Sequence, residues 1–172
     1  MPHAQPAAAT PLPWVIDVEA SGFGTGSYPI EVGFVSPIGA VVCTLIQPEP
    51  GWTHWDLAAE RVHGVSRETL RAHGKPAAVV AALLNRHLAD QPIYCNAWAH
   101  DYTWLARLFD AAEVAPRFRL HDLRELLSEA QLARFDAARR EVEAGCDLRR
   151  HRASTDARVL QLSVGAVVAQ TG

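Results

Sequence analysis

The chain has 172 residues, 49% of them apolar and 20% charged, and a formal net charge of −3. That balance excludes a disordered chain and fits one globular domain with a single core. The mild acidity argues against a protein that grips nucleic acid mainly by neutralising many phosphates, but not against one that holds a few terminal nucleotides with the help of bound cations.

In chain order, Met1–Pro13 is rich in Ala and Pro and lacks the basic start and apolar stretch of a secretory signal. It is expected to be a flexible segment ahead of one domain spanning residues 14–172. Trp14 to Glu19 is an apolar run that turns acidic and is predicted to be a strand; Ala20 to Pro29 holds three glycines and reads as a turn. Ile30 to Val35 and Ala40 to Ile46 are rich in β-branched residues and complete an antiparallel meander of three strands. Asp56 to Val62 suits a short helix, and Ser66 with Thr69 makes half of a capping box. Pro76 to Ala89 is predicted helical, with Val79, Val80, Leu83, Leu84 and Leu88 at helical spacing. A short strand, Ile93-Tyr94-Cys95, precedes a helix from Asp101 to Ala112, and Phe118 to His121 supplies a fifth strand. Asp122 to Glu143 reads as one charged helix ended near Gly145, and Ser154 to Val168 as the last. The order β-β-β-α-β-α-β-α-α predicts an α/β domain with a mixed sheet flanked by helices.

Cys43, Cys95 and Cys146 are odd in number and far apart, so neither a disulfide framework nor a zinc site is expected, and a cytoplasmic location is. No apolar run approaches the roughly 18 residues of a membrane span, so no membrane partner is expected.

Three stretches carry candidate chemistry. Asp17 and Glu19, two apart on a strand, project from one face. Such a carboxylate pair raises its own pKa values unless something neutralises it, and all-oxygen donors without Cys suit hard cations. A solvated pair at a strand end is the plainer alternative. Asp101 opens a helix, where capping competes with a functional role. His151 and Asp156 flank the start of the last helix, Asp156 in its first turn, where the helix dipole also favours an acid.

Together these residues resemble the DEDDh 3′→5′ exonucleases, the group containing ribonuclease T, oligoribonuclease and the proofreading subunit of bacterial DNA polymerase III. The matching stretches are Asp17-Val18-Glu19-Ala20-Ser21-Gly22, Ile30-Glu31-Val32-Gly33, His63-Gly64-Val65-Ser66, Asn96 to Asp101, and His151-Arg152-Ala153-Ser154-Thr155-Asp156-Ala157. They cover the chain from about Trp14 to Val168 in the family's order. Histidine five residues before the last Asp, with Arg152 four before it, selects the histidine branch over the tyrosine branch. Ala20-Ser21, Phe23 and His100 depart from the commoner family residues and bear on substrate preference rather than on the ligands.

The resemblance implies a ribonuclease H-like fold with a five-stranded mixed sheet, and hydrolysis of single-stranded RNA or DNA 3′ ends to nucleoside 5′-monophosphates. It implies two divalent cations, Mg²⁺ or Mn²⁺, held by Asp17, Glu19, Asp101 and Asp156, with His151 as general base. The turn Ala20, Ser21, Gly22 and Phe23, with His63 and Trp98, would contact substrate, and a homodimer is among the assemblies implied. Glu31 is expected to brace the glycine turn. Trp52 and Trp55 are candidates for stacking or core, and Arg149, Arg150, Arg152 and Arg158 for phosphate contacts or a solvated face. Arg134, Arg139 and Arg140, alternating with acids, read as a salt-bridged helix surface. The alternative is a nucleic-acid-binding module of the same fold with a degenerate site.

Overall fold

The computed structural model describes residues 11–145 and 151–169. Most of the segment expected to fray, together with Cys146, Arg149 and Arg150, lies outside the described residues. The strands are β1 (Trp14–Ala20), β2 (Pro29–Val35), β3 (Val41–Leu45), β4 (Pro92–Cys95) and β5 (Arg119–Asp122). The helices are α1 (Leu57–His63), α2 (Arg67–His73), α3 (Ala77–Leu88), α4 (Trp98–Ala111), α5 (Glu129–Gly145) and α6 (Ala153–Ala169). The sheet order is β3-β2-β1-β4-β5: β1, β2 and β3 form the antiparallel meander, while β4 and β5 join parallel to β1. This is the expected mixed five-stranded α/β sheet.

Side-chain alternation on β1 splits the core into two. Ile16, Val18 and Ala20 join the cluster beneath α3 and α4, with Leu84, Leu88 and Leu108, while Val15 packs with Leu160, Val164 and Val167 of α6 on the other face. The period of two therefore also assigns Asp17 and Glu19 to the α6 face. Their strand is central, and β4 is the point where the chain returns to the other side of it. Ligands of open α/β sheets sit at such a reversal, outside the carboxyl ends of the strands.

Helix boundaries differ from expectation in three places. First, α4 begins at Trp98, so Asp101 lies within the first turn, is not the N-cap, and is buried. Second, Ser66 heads a full short helix, α2, accepting a hydrogen bond from the Thr69 N–H. Third, the long charged helix is broken. Asp122 and Glu125 form a reciprocal capping box around a 3₁₀ turn at Leu123–Leu126. Ser128 and Gln131 then make a second reciprocal pair at the head of α5, the Ser128 N–H donating to Gln131 Oε1 at 2.9 Å and the Gln131 N–H to Ser128 Oγ. Two start signals six residues apart end any single helix between them. Cys43 and Cys95 are free thiols, and no described helix is long and apolar enough to cross a membrane.

Candidate active site

The site is built where β1, α4 and α6 meet. Asp17 and Glu19 project from the end of β1, and Asp156 from the first turn of α6; one ligand oxygen from each lies within 4.8 Å of the others. Asp101 reaches the same cleft from the first turn of α4. The cleft is a cavity of about 560 Å³ lined also by Ala20, Gly22, Phe23, His63 and His151. Of the residues expected at the site, Ser21 and Trp98 do not line it.

Two contacts on β2 place Asp156 and His151. Glu31 is fully buried and accepts hydrogen bonds from Arg152 Nε at 2.9 and 3.0 Å, from Arg152 Nη2, and from the Ala153 N–H at 3.0 Å. Two residues on, Gly33 lies directly beneath α6: a Cβ there would meet Ser154 N at 2.2 Å and the Ala153 carbonyl carbon at 2.6 Å. Only glycine admits that approach. The Asp156 N–H closes the first turn of α6 onto the Arg152 carbonyl at 3.0 Å. His151, on the other side of Arg152, holds a left-handed backbone with φ of 58°. The role of Glu31 is thereby corrected: it braces the start of α6 rather than the glycine turn. Arg152 is correspondingly tied to protein, and Arg158 donates to Gln161 Oε1 at 2.5 Å. Arg139 pairs with Glu143 at 3.0 Å, as a salt-bridged helix surface should.

The clustered acids oppose one another. Burial first, then the charges of Asp101, Glu19 and Asp156, hold the Asp17 carboxyl well above the usual range. Glu19 is pushed up to about 7 by burial and by the charges of Asp156, Glu31 and Asp101, with Arg152 pulling it down. Asp101 is pushed up to about 7 by burial, against hydrogen bonds to the Cys95 thiol and the Ala97 backbone. Its Oδ2 is buried with no hydrogen-bond partner. A buried carboxylate oxygen without a partner is costly. Four acids around one cleft, one of them with an orphaned oxygen, form a donor set that a hard cation would satisfy. Asp101 stands outside the compact group of three but faces the same space.

The turn after Glu19 is held from inside. Ser21 is fully buried; its N–H donates to the Tyr28 carbonyl at 2.9 Å, its carbonyl accepts from the Asp56 N–H at 2.8 Å, and its Oγ contacts His54 Nδ1 at 3.0 Å. Its backbone is used within the fold, which leaves Ala20 and Gly22 to face the cleft. Gly22 has φ of 138°, and a Cβ would meet Asp56 Cβ at 2.6 Å. Asp56, which sequence reasoning treated only as a helix start, also lines the cleft while capping α1 through the Ala58 N–H at 2.7 Å. Phe23 is 68% exposed, so it is not a core residue. Its ring meets His100 edge-on at 5.2 Å. His63 is buried, its Nδ1 accepts from the Val65 N–H at 3.1 Å, and burial lowers its pKa. That bond puts the ring proton on Nε2, which lacks a partner. Trp52 is core, stacked on Tyr28 at 5.2 Å. Trp55 is half-buried and donates to Glu60 at 2.6 Å.

The fold resembles that of part of exonuclease I. A crystal structure of the E. coli enzyme in complex with a dA16 oligonucleotide superposes with a TM-score of 0.67 at 16% identity, covering 92% of this chain and 40% of that one. The zinc ion bound form of its single-stranded DNA complex matches with a TM-score of 0.65 at 16% identity over the same shares, 92% and 40%. Exonuclease I from Methylocaldum szegediense matches at 0.66 and 15% identity, over 91% of this chain and 40% of that one. The chain thus spans about 40% of the length of the structures it resembles. The sequence matches no family profile and no curated protein.

Proposed function

We propose that this chain is a metal-dependent 3′→5′ exonuclease of the DEDDh type, acting on single-stranded RNA or DNA ends. The observation that carries it is the convergence of Asp17, Glu19 and Asp156 within 4.8 Å, from a strand and a helix far apart in sequence, in a cleft shared with Asp101 and His151. Exonuclease I structures of the same fold were solved with single-stranded oligonucleotides and with zinc, which supports the reading.

Asp17, Glu19, Asp101 and Asp156 would hold two divalent cations, Mg²⁺ or Mn²⁺. Such ions supply Lewis-acid stabilisation of charge at a phosphate and lower the pKa of water. The protein's own residues do the rest. The terminal nucleotide would enter the cleft lined by Gly22 and by Ala58, Ala59 and Val62 of α1, while the absence of a Cβ at Gly22 lets its turn close onto Asp56. Phe23, projecting from the turn, offers a face for the last base, and His63 offers a fixed Nε2–H donor. An imidazole nitrogen of His151 takes the proton from the attacking water as the water oxygen bonds to phosphorus. The bond from phosphorus to the 3′ oxygen of the penultimate sugar breaks, and that oxygen takes a proton from solvent. The products are a nucleoside 5′-monophosphate and a strand one nucleotide shorter.

Incubation with 5′-labelled single-stranded RNA and DNA tests this. A ladder of single-nucleotide steps is expected with Mn²⁺, lost in EDTA, and slowed about 10²–10⁴-fold by His151→Ala. Wild-type protein that binds the strand but leaves it whole at every metal concentration would overturn the proposal in favour of a degenerate binding module.

A further inference from the structure

Two of the exposed large hydrophobics, Tyr102 and Val114 at 53% and 48% exposure, line a cavity of about 530 Å³ that is separate from the acidic cleft. Leu105 and Phe109 of α4, with Phe118 and Leu120, complete its apolar lining. One wall is fixed by Trp98, which stacks on Tyr102 at 5.1 Å while its Nε1 donates to the Leu120 carbonyl at 3.1 Å. A second wall, the loop carrying Ala115 and Pro116, is tied to α3 by Asn85. The Asn85 Nδ2 donates to the Ala115 carbonyl at 2.9 Å, and its Oδ1 accepts from the Arg117 N–H at 2.7 Å. The hollow is therefore preformed, and its volume falls within the about 300–1,000 Å³ of cavities that take ligands.

The charged side chains on this lining are Asp110 and Glu113, and both sit where an acid is disfavoured. Asp110 is in the last turn of α4, at the negative end of the helix dipole, and that turn holds no base. Glu113 follows the helix with φ of 54°; its N–H donates to the Asp110 carbonyl at 3.1 Å and the Val114 N–H to the Phe109 carbonyl at 3.2 Å. That is a Schellman arrangement, whose left-handed position usually holds glycine. A glutamate kept there against its conformational preference points to a use for its charge. Among the described residues, neither carboxylate has an ion-pair partner. The neighbouring cations face elsewhere. Arg107 donates to the Ser27 carbonyl at 2.9 Å and lies over the Trp52 ring at 5.5 Å. Alternation along β5 sends Arg119 to the face opposite Leu120, where it lines a different cavity with Arg117 and His121.

We propose that this hollow docks a protein segment presenting one apolar side chain flanked by lysine or arginine. The apolar group leaves water for Leu105, Phe109 and Phe118, and the cations meet Asp110, Glu113 and the negative end of α4. The same charges repel phosphate, so a nucleic-acid strand is not the occupant. The proposal stands apart from the nuclease reading, because none of these residues lines the acidic cleft.

The test selects a random peptide library, displayed on phage, against the full chain. Peptides with a large apolar residue beside Lys or Arg are expected to be enriched, and to be lost on the double variant Asp110→Lys, Glu113→Lys. Both positions are exposed, so the fold tolerates the change. In fluorescence anisotropy, the tightest fluorescein-labelled peptide should bind about tenfold more weakly to Asp110→Asn, Glu113→Gln, the scale of two exposed ion pairs. Added salt should weaken it in the same direction, and Ser in place of the peptide's apolar residue should remove binding. No enriched peptide, enrichment of Asp- and Glu-rich peptides, or undiminished binding to the Lys variant overturns the proposal. So does sedimentation in which the wild type self-associates and the Lys variant stays monomeric, since a second copy of this chain would then fill the hollow.

Discussion

Replacing Asp17 with Asn should stabilise the ion-free protein while destroying its response to metal. Glu19 sits at about 7 against an ordinary 4.5, so ionising it in the fold costs about 3 kcal/mol at 1.36 kcal/mol per unit. Asp17 is raised by the same causes, burial and the charges of Asp101, Glu19 and Asp156. A carboxyl raised in the folded state binds protons more tightly there than when unfolded. Its stabilising contribution is complete below about pH 4 and is lost as pH climbs towards about 7. The isosteric amide carries no charge to oppose. In EDTA at pH 8, Asp17→Asn should therefore be the more stable protein, and Glu19→Gln should gain about 2–3 kcal/mol, or roughly 5–10 °C in Tm for a chain of this size. At pH 4 the gain should nearly vanish. Millimolar Mn²⁺ should close most of the gap, raising the wild type by about 2.7 kcal/mol at a hundredfold excess over Kd and Asp17→Asn by much less. Thermal unfolding followed by circular dichroism at both pH values, with and without Mn²⁺, reads all of this. A variant no more stable than wild type at pH 8, or equally stabilised at pH 4, would show that the acids do not strain one another.

Two further substitutions probe the seat of α6. Gly33→Ala places a methyl 2.2 Å from Ser154 N, backbone that cannot rotate away. A loss of about 3 kcal/mol in urea unfolding is expected, with turnover falling because Asp156 moves with the helix; a loss under 1 kcal/mol would show that α6 is not held at that distance. Glu31→Ala leaves the Arg152 guanidinium and the Ala153 N–H without their acceptor. About 2–3 kcal/mol should be lost, less than for a fully buried pair because Arg152 is one-third exposed. Mn²⁺ affinity should fall in parallel, read by the metal-induced Tm shift, and an unchanged shift would detach Glu31 from the site.

Much of the architecture was legible in advance because strong local signals carried it. The period-two pattern of β1 gave both its strand identity and the shared face of Asp17 and Glu19. The apolar spacing of Val80, Leu84 and Leu88 put α3 on the sheet, where all three are buried. Failures came where short capping signals compete with charge periodicity. Ser128-Glu129-Ala130-Gln131 is a helix start as plain as any in the chain, but it sits inside a run of charged residues that reads as uninterrupted helix. The head of α4 was misplaced for the opposite reason: Ala97 caps with no side-chain hydrogen bond, so nothing in the residues marks it.

Residue types and their spacing by themselves made the Asp17 and Glu19 pair a candidate, and the resemblance of the local motif stretches to the DEDDh exonucleases added Asp101, His151 and Asp156. Only the tertiary structure decided what those residues do to one another. Burial and convergence, which depend on β1, α4 and α6 closing on one cleft, turn ordinary carboxyls into groups held up to about 7. Glu31 and Arg152 lie 121 positions apart, and no local pattern could reveal that one anchors the other. The same holds for Ser21, a turn residue by sequence whose backbone is spent on Tyr28 and Asp56. Pairings across that distance are set by packing, where the free energy of a contact depends on everything that excludes water around it.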